Sequence, residues 1–147
     1  MATLSDVSQE ITRTGNSAPA REFTVLLSPT PRGARLARLL ATAHLADWGF
    51  TSEAAAQVVA ELANNAATHG RVRGRDFRLD LTVRDDKLLR VEVSDTRSEL
   101  LPTPAPLSPE GDSGRGLLLV AALADRWGVY QGPVPRKTVW AEIDLVP

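Results

Sequence analysis

The feature that most constrains the fold is a pair of apolar runs that alternate with polar residues on either side of a short charged segment. Apolar side chains occupy every second position from Phe77 to Val83 and again from Leu89 to Val93, flanking Asp85, Asp86 and Lys87. A two-residue period is typical of a strand with one buried face. Two such strands joined by a short polar connection predict an antiparallel hairpin.

The residues before this hairpin predict one strand and two helices. Arg21 to Leu27 alternates in the same way and is followed by prolines, which predicts a strand that ends there. From Arg32 to Trp48 the apolar residues recur at helical spacing, and Gly49 is a natural stop. Thr51, with a serine and a glutamate after it, offers a helix N-cap before a long alanine-rich run that ends at Gly70.

The residues after the hairpin predict a loop, a helix and two more strands. Residues 96–113 contain four prolines and no regular period, which is typical of a long functional or mobile loop. Leu117 to Ala124 predicts a third, mostly buried helix. Trp127 to Tyr130 and Thr138 to Leu145 predict a last pair of strands.

This order of elements predicts an α+β fold. Because the helices are segregated from mainly antiparallel strands, we expect a two-layer α/β sandwich in which the sheet packs on three helices. Residues 1–20 are polar with scattered single apolar residues, so we expect a flexible tail. Residues 21–147 then form one domain, a size that can bury a single core.

Composition excludes several classes of function. With 17 Lys and Arg against 18 Asp and Glu, the net charge of -1 gives no general attraction to nucleic acid or to an anionic membrane. The chain has no cysteine, which excludes disulfides and thiolate zinc sites. Its 2 histidines cannot form a metal site by themselves. We find no signal-peptide pattern and no apolar run near the roughly 20 residues that span a bilayer, so we expect a cytoplasmic protein.

Three polar residues on the second predicted helix can share one site. Glu61, Asn65 and His69 follow one another at four-residue steps, which places them along one stripe of the helix. The Asn65 amide oxygen suits Mg²⁺, since that ion takes few protein ligands beside substrate phosphates. Glu61 can orient or deprotonate a nucleophile. The competing interpretation is that these side chains simply face water.

Two further places offer ligand chemistry. Asp95 ends a hydrophobic strand, and a carboxylate there accepts hydrogen bonds and can select the exocyclic amine of adenine. Gly114 and Gly116, with Arg115 between them, precede the third predicted helix, where backbone N–H groups and the helix dipole bind anions. Thr138 on the last strand has a hydroxyl that can join a polar network under a base. Each of these features also occurs in ordinary turns and strands.

Four segments in this order resemble a known family. They are E-L-A-N-N-A-A-T-H-G, V-E-V-S-D, G-R-G-L-L-L-V and K-T-V-W, within residues 21 to 145. The sequence resembles the GHKL (Bergerat-fold) ATPase/kinase superfamily, and in particular the small bacterial anti-sigma-factor serine/threonine kinases and related stand-alone ATP-binding regulators. The resemblance implies a histidine-kinase-like ATP-binding domain that uses ATP and Mg²⁺.

The resemblance also implies roles for individual residues. Asn65 would be the Mg²⁺ ligand, Glu61 the general base, and Asp95 the residue that binds the adenine amino group. Residues 96–113 would be the ATP lid. The remaining residues expected at the nucleotide are His69 and Gly70 at the end of the first motif, Gly114, Arg115, Gly116 and Leu117 in the phosphate-covering motif, and Thr138 near the adenine.

Two functions follow from the resemblance. The first is a kinase that sequesters a sigma factor, phosphorylates a serine of an anti-sigma-factor antagonist protein, and forms a homodimer. The presence of both Glu61 and Asn65 favours it. The alternative is a non-catalytic ATP-binding regulator that acts by nucleotide-dependent protein binding, and it is favoured because Thr96, Arg97 and Ser98, rather than glycines, follow Asp95.

Overall fold

A computed structural model of the protein describes residues 20–68, 75–95, 112–131 and 137–145, and within these ranges the predicted order of elements is confirmed. The described residues form five strands and three helices, an α+β fold as expected. In chain order the elements are β1 (Arg21–Leu27), α1 (Pro31–Asp47), α2 (Glu53–Thr68), β2 (Phe77–Arg84), β3 (Leu88–Asp95), α3 (Asp112–Leu123), β4 (Arg126–Gln131) and β5 (Lys137–Asp144).

The strands form one antiparallel sheet in the order β1-β2-β3-β5-β4. The predicted hairpin between β2 and β3 turns at Asp85 and Asp86, which have positive φ angles of 56° and 54°. The Lys87 N–H donates to the Arg84 carbonyl at 2.9 Å and closes the turn. Positive φ at both central residues gives a hairpin turn whose twist matches that of the strands, and aspartate tolerates this conformation better than most residues.

One face of the sheet carries the core and is covered by the helices. Along β2 the odd-numbered residues are buried while the even-numbered ones are partly or fully exposed, and the same alternation holds along most of β3. Helix α2 packs against both α1 and α3 and contacts the central strands. The most deeply buried large side chains are Val58, Val59 and Leu62 of α2, Phe77, Leu79, Leu81 and Val83 of β2, Leu89 and Val91 of β3, and Val120 of α3.

The opposite face of the sheet is polar and is held by charge pairs. Arg90 donates from Nε to Glu92 Oε2 at 2.6 Å and from Nη1 to Glu142 Oε2 at 2.8 Å. Its guanidinium carbon lies 4.5 Å from the centre of the Trp140 ring. Arg126 donates from Nε to Glu142 Oε1 at 2.9 Å. The hydrogen bonds from Arg126 and Arg90 outweigh the effect of burial and lower the pKa of the Glu142 carboxyl.

The helix starts are set by capping side chains. The Thr30 hydroxyl accepts from the Gly33 N–H at 3.0 Å at the start of α1. For α2 the cap contact is made by Ser52, whose Oγ accepts from the Ala55 N–H at 3.0 Å, rather than by the neighbouring Thr51. A side-chain oxygen at this position satisfies an N–H that has no partner within the helix, and this stabilises the first turn.

The start of α3 differs from the prediction. The helix begins at Asp112, five residues before the predicted start at Leu117, so Gly114 and Gly116 lie inside the helix and not ahead of it. Aspartate and serine favour helix starts, and the cost of glycine there is offset once the rest of the helix packs. The prediction failed because the two glycines were expected directly before the helix, since glycine is a weak helix former.

Several predictions fall on residues outside the described ranges. They include residues 1–19 of the expected tail, residues 96–111 of the expected lid, and the end of the second predicted helix. The division of the chain into tail and domain therefore stays a prediction. Among the described residues, no helix combines the length and apolar character needed to cross a membrane.

Candidate functional site

Helix α2 places Glu61 and Asn65 on the edge of its buried face. Gln57, Glu61 and Asn65 follow one another at four-residue steps and are all half-buried, whereas the adjacent Asn64 is exposed. Gln57 Nε2 donates to Glu61 Oε2 at 2.8 Å, so the carboxylate is held by its neighbour one turn earlier. The predicted stripe is therefore formed by these residues, and His69, its expected third member, lies outside the described residues.

The two side chains suit different parts of a phosphate reaction. Within the described residues, no group of three His, Cys, Asp or Glu side chains could hold a metal ion. In nucleotide sites Mg²⁺ commonly has one or a few protein oxygen ligands and takes the others from phosphate and water. The Asn65 amide oxygen fits that role. The Glu61 carboxylate, one helical turn away, can accept a proton.

Asp95 is buried at the end of β3 beside a lysine that the sequence analysis did not single out. Asp95 is 6% exposed, and its Oδ2 lies 3.9 Å from Lys137 Nζ on β5. The Lys137 side chain is 17% exposed. The two residues are direct partners in the antiparallel register, and by strand alternation they share the helix-facing side of the sheet with Val93 and Val139. An acceptor and a cation are thus held side by side.

Thr138, which was expected near the adenine, lies on β5 next to Lys137. It pairs with Ser94, and the two hydroxyl oxygens lie 2.7 Å apart. Both residues are buried, with exposed fractions of 6% for Ser94 and 8% for Thr138. Since Ser94 and Asp95 are consecutive in β3, their side chains point to opposite faces, and the Ser94–Thr138 contact lies on the face away from the helices. The position opposite Asp95 belongs to Lys137.

The phosphate-covering motif lies in the first turns of α3. Gly114 falls in the first turn, where backbone N–H groups have no acceptor within the helix and the helix dipole favours anions. Gly116 follows within the same helix, and Leu117 is partly buried against the core. The Arg115 side chain and residue Gly70 lie outside what the structure describes. Because α3 packs against α2, the motif and the Asn65 stripe belong to neighbouring helices.

The sequence analysis did not identify three polar residues of the site, and they differ in whether a sequence pattern could have revealed them. Gln57 lies four residues before Glu61, so helical spacing alone could have found it. Lys137 and Ser94 could be found only from the register of β3 against β5, which the alternating pattern of each strand does not give.

Comparison with known proteins identifies the domain. The family model of the histidine kinase-like ATPase domain matches residues 27–142. Among solved structures, the chain is similar to the crystal structure of the RsbU and RsbW domains of Rv1364c from Mycobacterium tuberculosis, with a TM-score of 0.65 at 21% sequence identity. That match covers 87% of this chain and 33% of the other, so this chain spans about a third of it. At this identity the likeness shows a shared fold. No curated protein matches the chain.

Proposed function

The chain belongs to the histidine kinase-like ATPase family of the GHKL superfamily, and from that premise we propose that it is an ATP-dependent serine/threonine protein kinase of the anti-sigma-factor type. ATP binding follows from the family. The observation that carries the kinase proposal is the pair on α2, in which Glu61 is oriented by Gln57 one turn from Asn65. This arrangement puts a proton acceptor beside a neutral oxygen ligand.

The proposed nucleotide site combines three parts of the fold. Asp95 accepts a hydrogen bond from the adenine amino group, and the N–H groups of the first turn of α3, up to Gly114, bind phosphate oxygens. Asn65 holds Mg²⁺, which when bound neutralises phosphate charge. His69, Gly70, Arg115, Gly116 and Leu117 enter the proposal through the sequence resemblance. Thr138 is not part of the proposed site, because its hydroxyl contacts Ser94 on the face of the sheet away from the helices.

The proposed reaction is transfer of the γ-phosphoryl group to a partner's serine. Glu61 accepts the proton of the serine hydroxyl, a bond forms between the serine oxygen and the γ-phosphorus, and the bond from that phosphorus to the bridging oxygen breaks to release ADP. The hydrogen bond from Gln57 holds the carboxylate in one orientation, and a carboxylate has lone pairs left for a second donor.

The proposed partners are proteins. By the sequence resemblance they are a sigma factor, an anti-sigma-factor antagonist that supplies the serine, and a second copy of the chain in a homodimer. The similar fold of a solved structure that contains an RsbW domain supports this class of regulator. We place the protein in the cytoplasm, and the balanced charge of the chain argues against direct contact with nucleic acid or a membrane surface.

The second candidate function is a non-catalytic regulator in which ATP acts as a structural ligand. The residues that follow Asp95 favour it, because Thr96, Arg97 and Ser98 lack the conformational freedom of glycine beside the base. The two functions differ in what Glu61 does, since a non-catalytic regulator has no use for a proton acceptor.

Calorimetric titration with ATP, with and without Mg²⁺, tests the proposal. Asn65→Ala should abolish Mg²⁺-dependent ATP binding, and Asn64→Ala, its exposed neighbour, is the matched control that should bind as the wild type does. Glu61→Gln should keep ATP binding and lose phosphotransfer or ATP turnover. Equal loss of binding in the Glu61 and Asn65 variants would contradict the two assigned roles, and unchanged turnover in Glu61→Gln would exclude a catalytic Glu61.

A further inference from the structure

The position of Lys137 beside Asp95 is an unusual place for a lysine. The chain has 2 lysines. Lys87 is exposed in the hairpin turn, whereas the Lys137 side chain is only 17% exposed. Desolvating an ammonium group is costly, and a facing carboxylate compensates for it only with good geometry. The register of β3 against β5 gives Lys137 that partner directly across the strand pair.

The separation between the two groups leaves them as neighbours and not as a closed hydrogen bond. Lys137 Nζ and Asp95 Oδ2 lie 3.9 Å apart, beyond the distance of an N–H···O hydrogen bond, which is about 2.9 Å. An ammonium group is a donor with three hydrogens and an ionised carboxylate is an acceptor only. The end of the strand pair therefore presents an acceptor and a donor next to each other on the helix-facing side of the sheet.

This pattern is complementary to one edge of adenine. The adenine amino group N6 is a donor, and the neighbouring ring nitrogen N1 is an acceptor. Guanine has the reverse order, with the acceptor O6 beside the donor N1–H. In the same pose a guanine would place O6 against the Asp95 carboxylate and N1–H against the Lys137 ammonium, and both contacts would be unfavourable.

We propose that Lys137 is a specificity-determining residue of the nucleotide site, whose ammonium donates to N1 of adenine while Asp95 accepts from N6. This inference rests on the proposed binding of adenine at Asp95. It makes Lys137 a direct contact of the base, in addition to being the charge partner of a buried carboxylate. If Lys137 only compensated the charge of Asp95, its replacement would weaken every nucleotide equally and would not depend on N1.

The test compares ATP with 1-deaza-ATP, in which a C–H group replaces N1. Titration calorimetry with Mg²⁺ present should show that the wild-type protein binds ATP about tenfold to a hundredfold more tightly than 1-deaza-ATP, the range expected for a hydrogen bond to a charged group. Lys137→Met should bind the two nucleotides equally. Lys137→Gln, which keeps a neutral N–H donor, should retain part of the preference. Lys87→Met is the matched control and should behave as the wild type does.

Each outcome decides a different point. Equal binding of ATP and 1-deaza-ATP by the wild type overturns the role of Lys137 while leaving the proposed ATP site in place, and it does so even where a variant fails to fold. A preference for ATP that survives in folded Lys137→Met also overturns it. No binding of either nucleotide by the wild type refutes the proposed function itself. Thermal unfolding of each variant establishes that it is folded before titration.

Discussion

The Ser94–Thr138 contact allows a test of whether Thr138 on β5 stabilises the sheet or contacts the nucleotide. Thr138→Val keeps the shape of the side chain and removes its hydroxyl, which lies 2.7 Å from the Ser94 hydroxyl. Both residues are at least nine-tenths buried, so the Ser94 hydroxyl loses a partner that water does not readily replace. Removing one partner of a buried hydrogen bond costs about 1–2 kcal/mol. For a domain of this size that corresponds to a fall in Tm of roughly 3–7 °C.

The same substitution should leave ATP affinity unchanged. Thr138 lies on the face of the sheet away from the helices, whereas Asp95 and Lys137 lie on the helix-facing side. Urea denaturation measures the loss of stability, and calorimetric titration of the same protein measures ATP binding. Ser94→Ala combined with Thr138→Val completes a double-mutant cycle, in which we expect the double variant to be less destabilised than the sum of the single ones.

Two results would refute this reasoning. Additive effects in the cycle would mean that the two hydroxyls contribute nothing to each other. A clear fall in ATP affinity in Thr138→Val, under conditions where the variant is fully folded, would mean that the threonine touches the nucleotide as the sequence resemblance implies. Thr138→Ser, which keeps the hydroxyl and loses a methyl group, is the control for the effect of side-chain volume.

Three further predictions concern the elements around the site. Ser52→Ala should lower the stability of the protein by about 1 kcal/mol in urea denaturation because α2 loses its cap contact, whereas Thr51→Ala should change it little. The pKa of Glu142 is lowered in the folded protein, so its contribution to stability is present above the unfolded value of about 4.3 and is lost as the pH falls through the lower folded pKa. Glu142→Gln should therefore reduce stability at pH 7 and flatten its decline below about pH 4, as measured by denaturation at several pH values. Gly128→Ala should cost about 1–3 kcal/mol and alter the fluorescence of Trp140, because the added Cβ would lie 2.9 Å from the Trp140 ring.

Most of the fold could be predicted from the sequence because its signals are local. Alternation of apolar residues marked β1, β2 and β3, and the polar turn at Asp85 and Asp86 marked the hairpin between the last two. The predicted start of α3 was wrong because glycine is a weak helix former on its own. The packing of Val120 against the core helps to stabilise this helix, and neighbouring residues in the sequence do not reveal that packing.

Part of the site could likewise be predicted from local sequence patterns, whereas the rest depends on contacts between distant residues. Glu61 and Asn65 could be placed together because a helix repeats its face every three to four residues, and no knowledge of the rest of the fold was needed. The pairing of Asp95 with Lys137 depends on how two strands far apart in the sequence align. A slip of one residue in that alignment would move the side chains of the slipping strand to the other face, and a single sequence does not specify the alignment.

The end of the β3–β5 strand pair therefore stabilises the sheet on one face and contributes to the proposed nucleotide site on the other. Ser94 and Thr138 join the strands by a buried hydrogen bond on the outer face, while the next pair along presents an acceptor and a donor toward the helices. Because one backbone register sets both pairs, a change that breaks the hydroxyl contact but keeps the register weakens the sheet and spares the site. A one-residue slip of β5 would instead turn Lys137 to the outer face and separate it from Asp95, because β3 is also held in register by β2. Stability and nucleotide affinity should thus separate for Thr138→Val, and Lys137→Met should be the variant that loses the preference for ATP over 1-deaza-ATP.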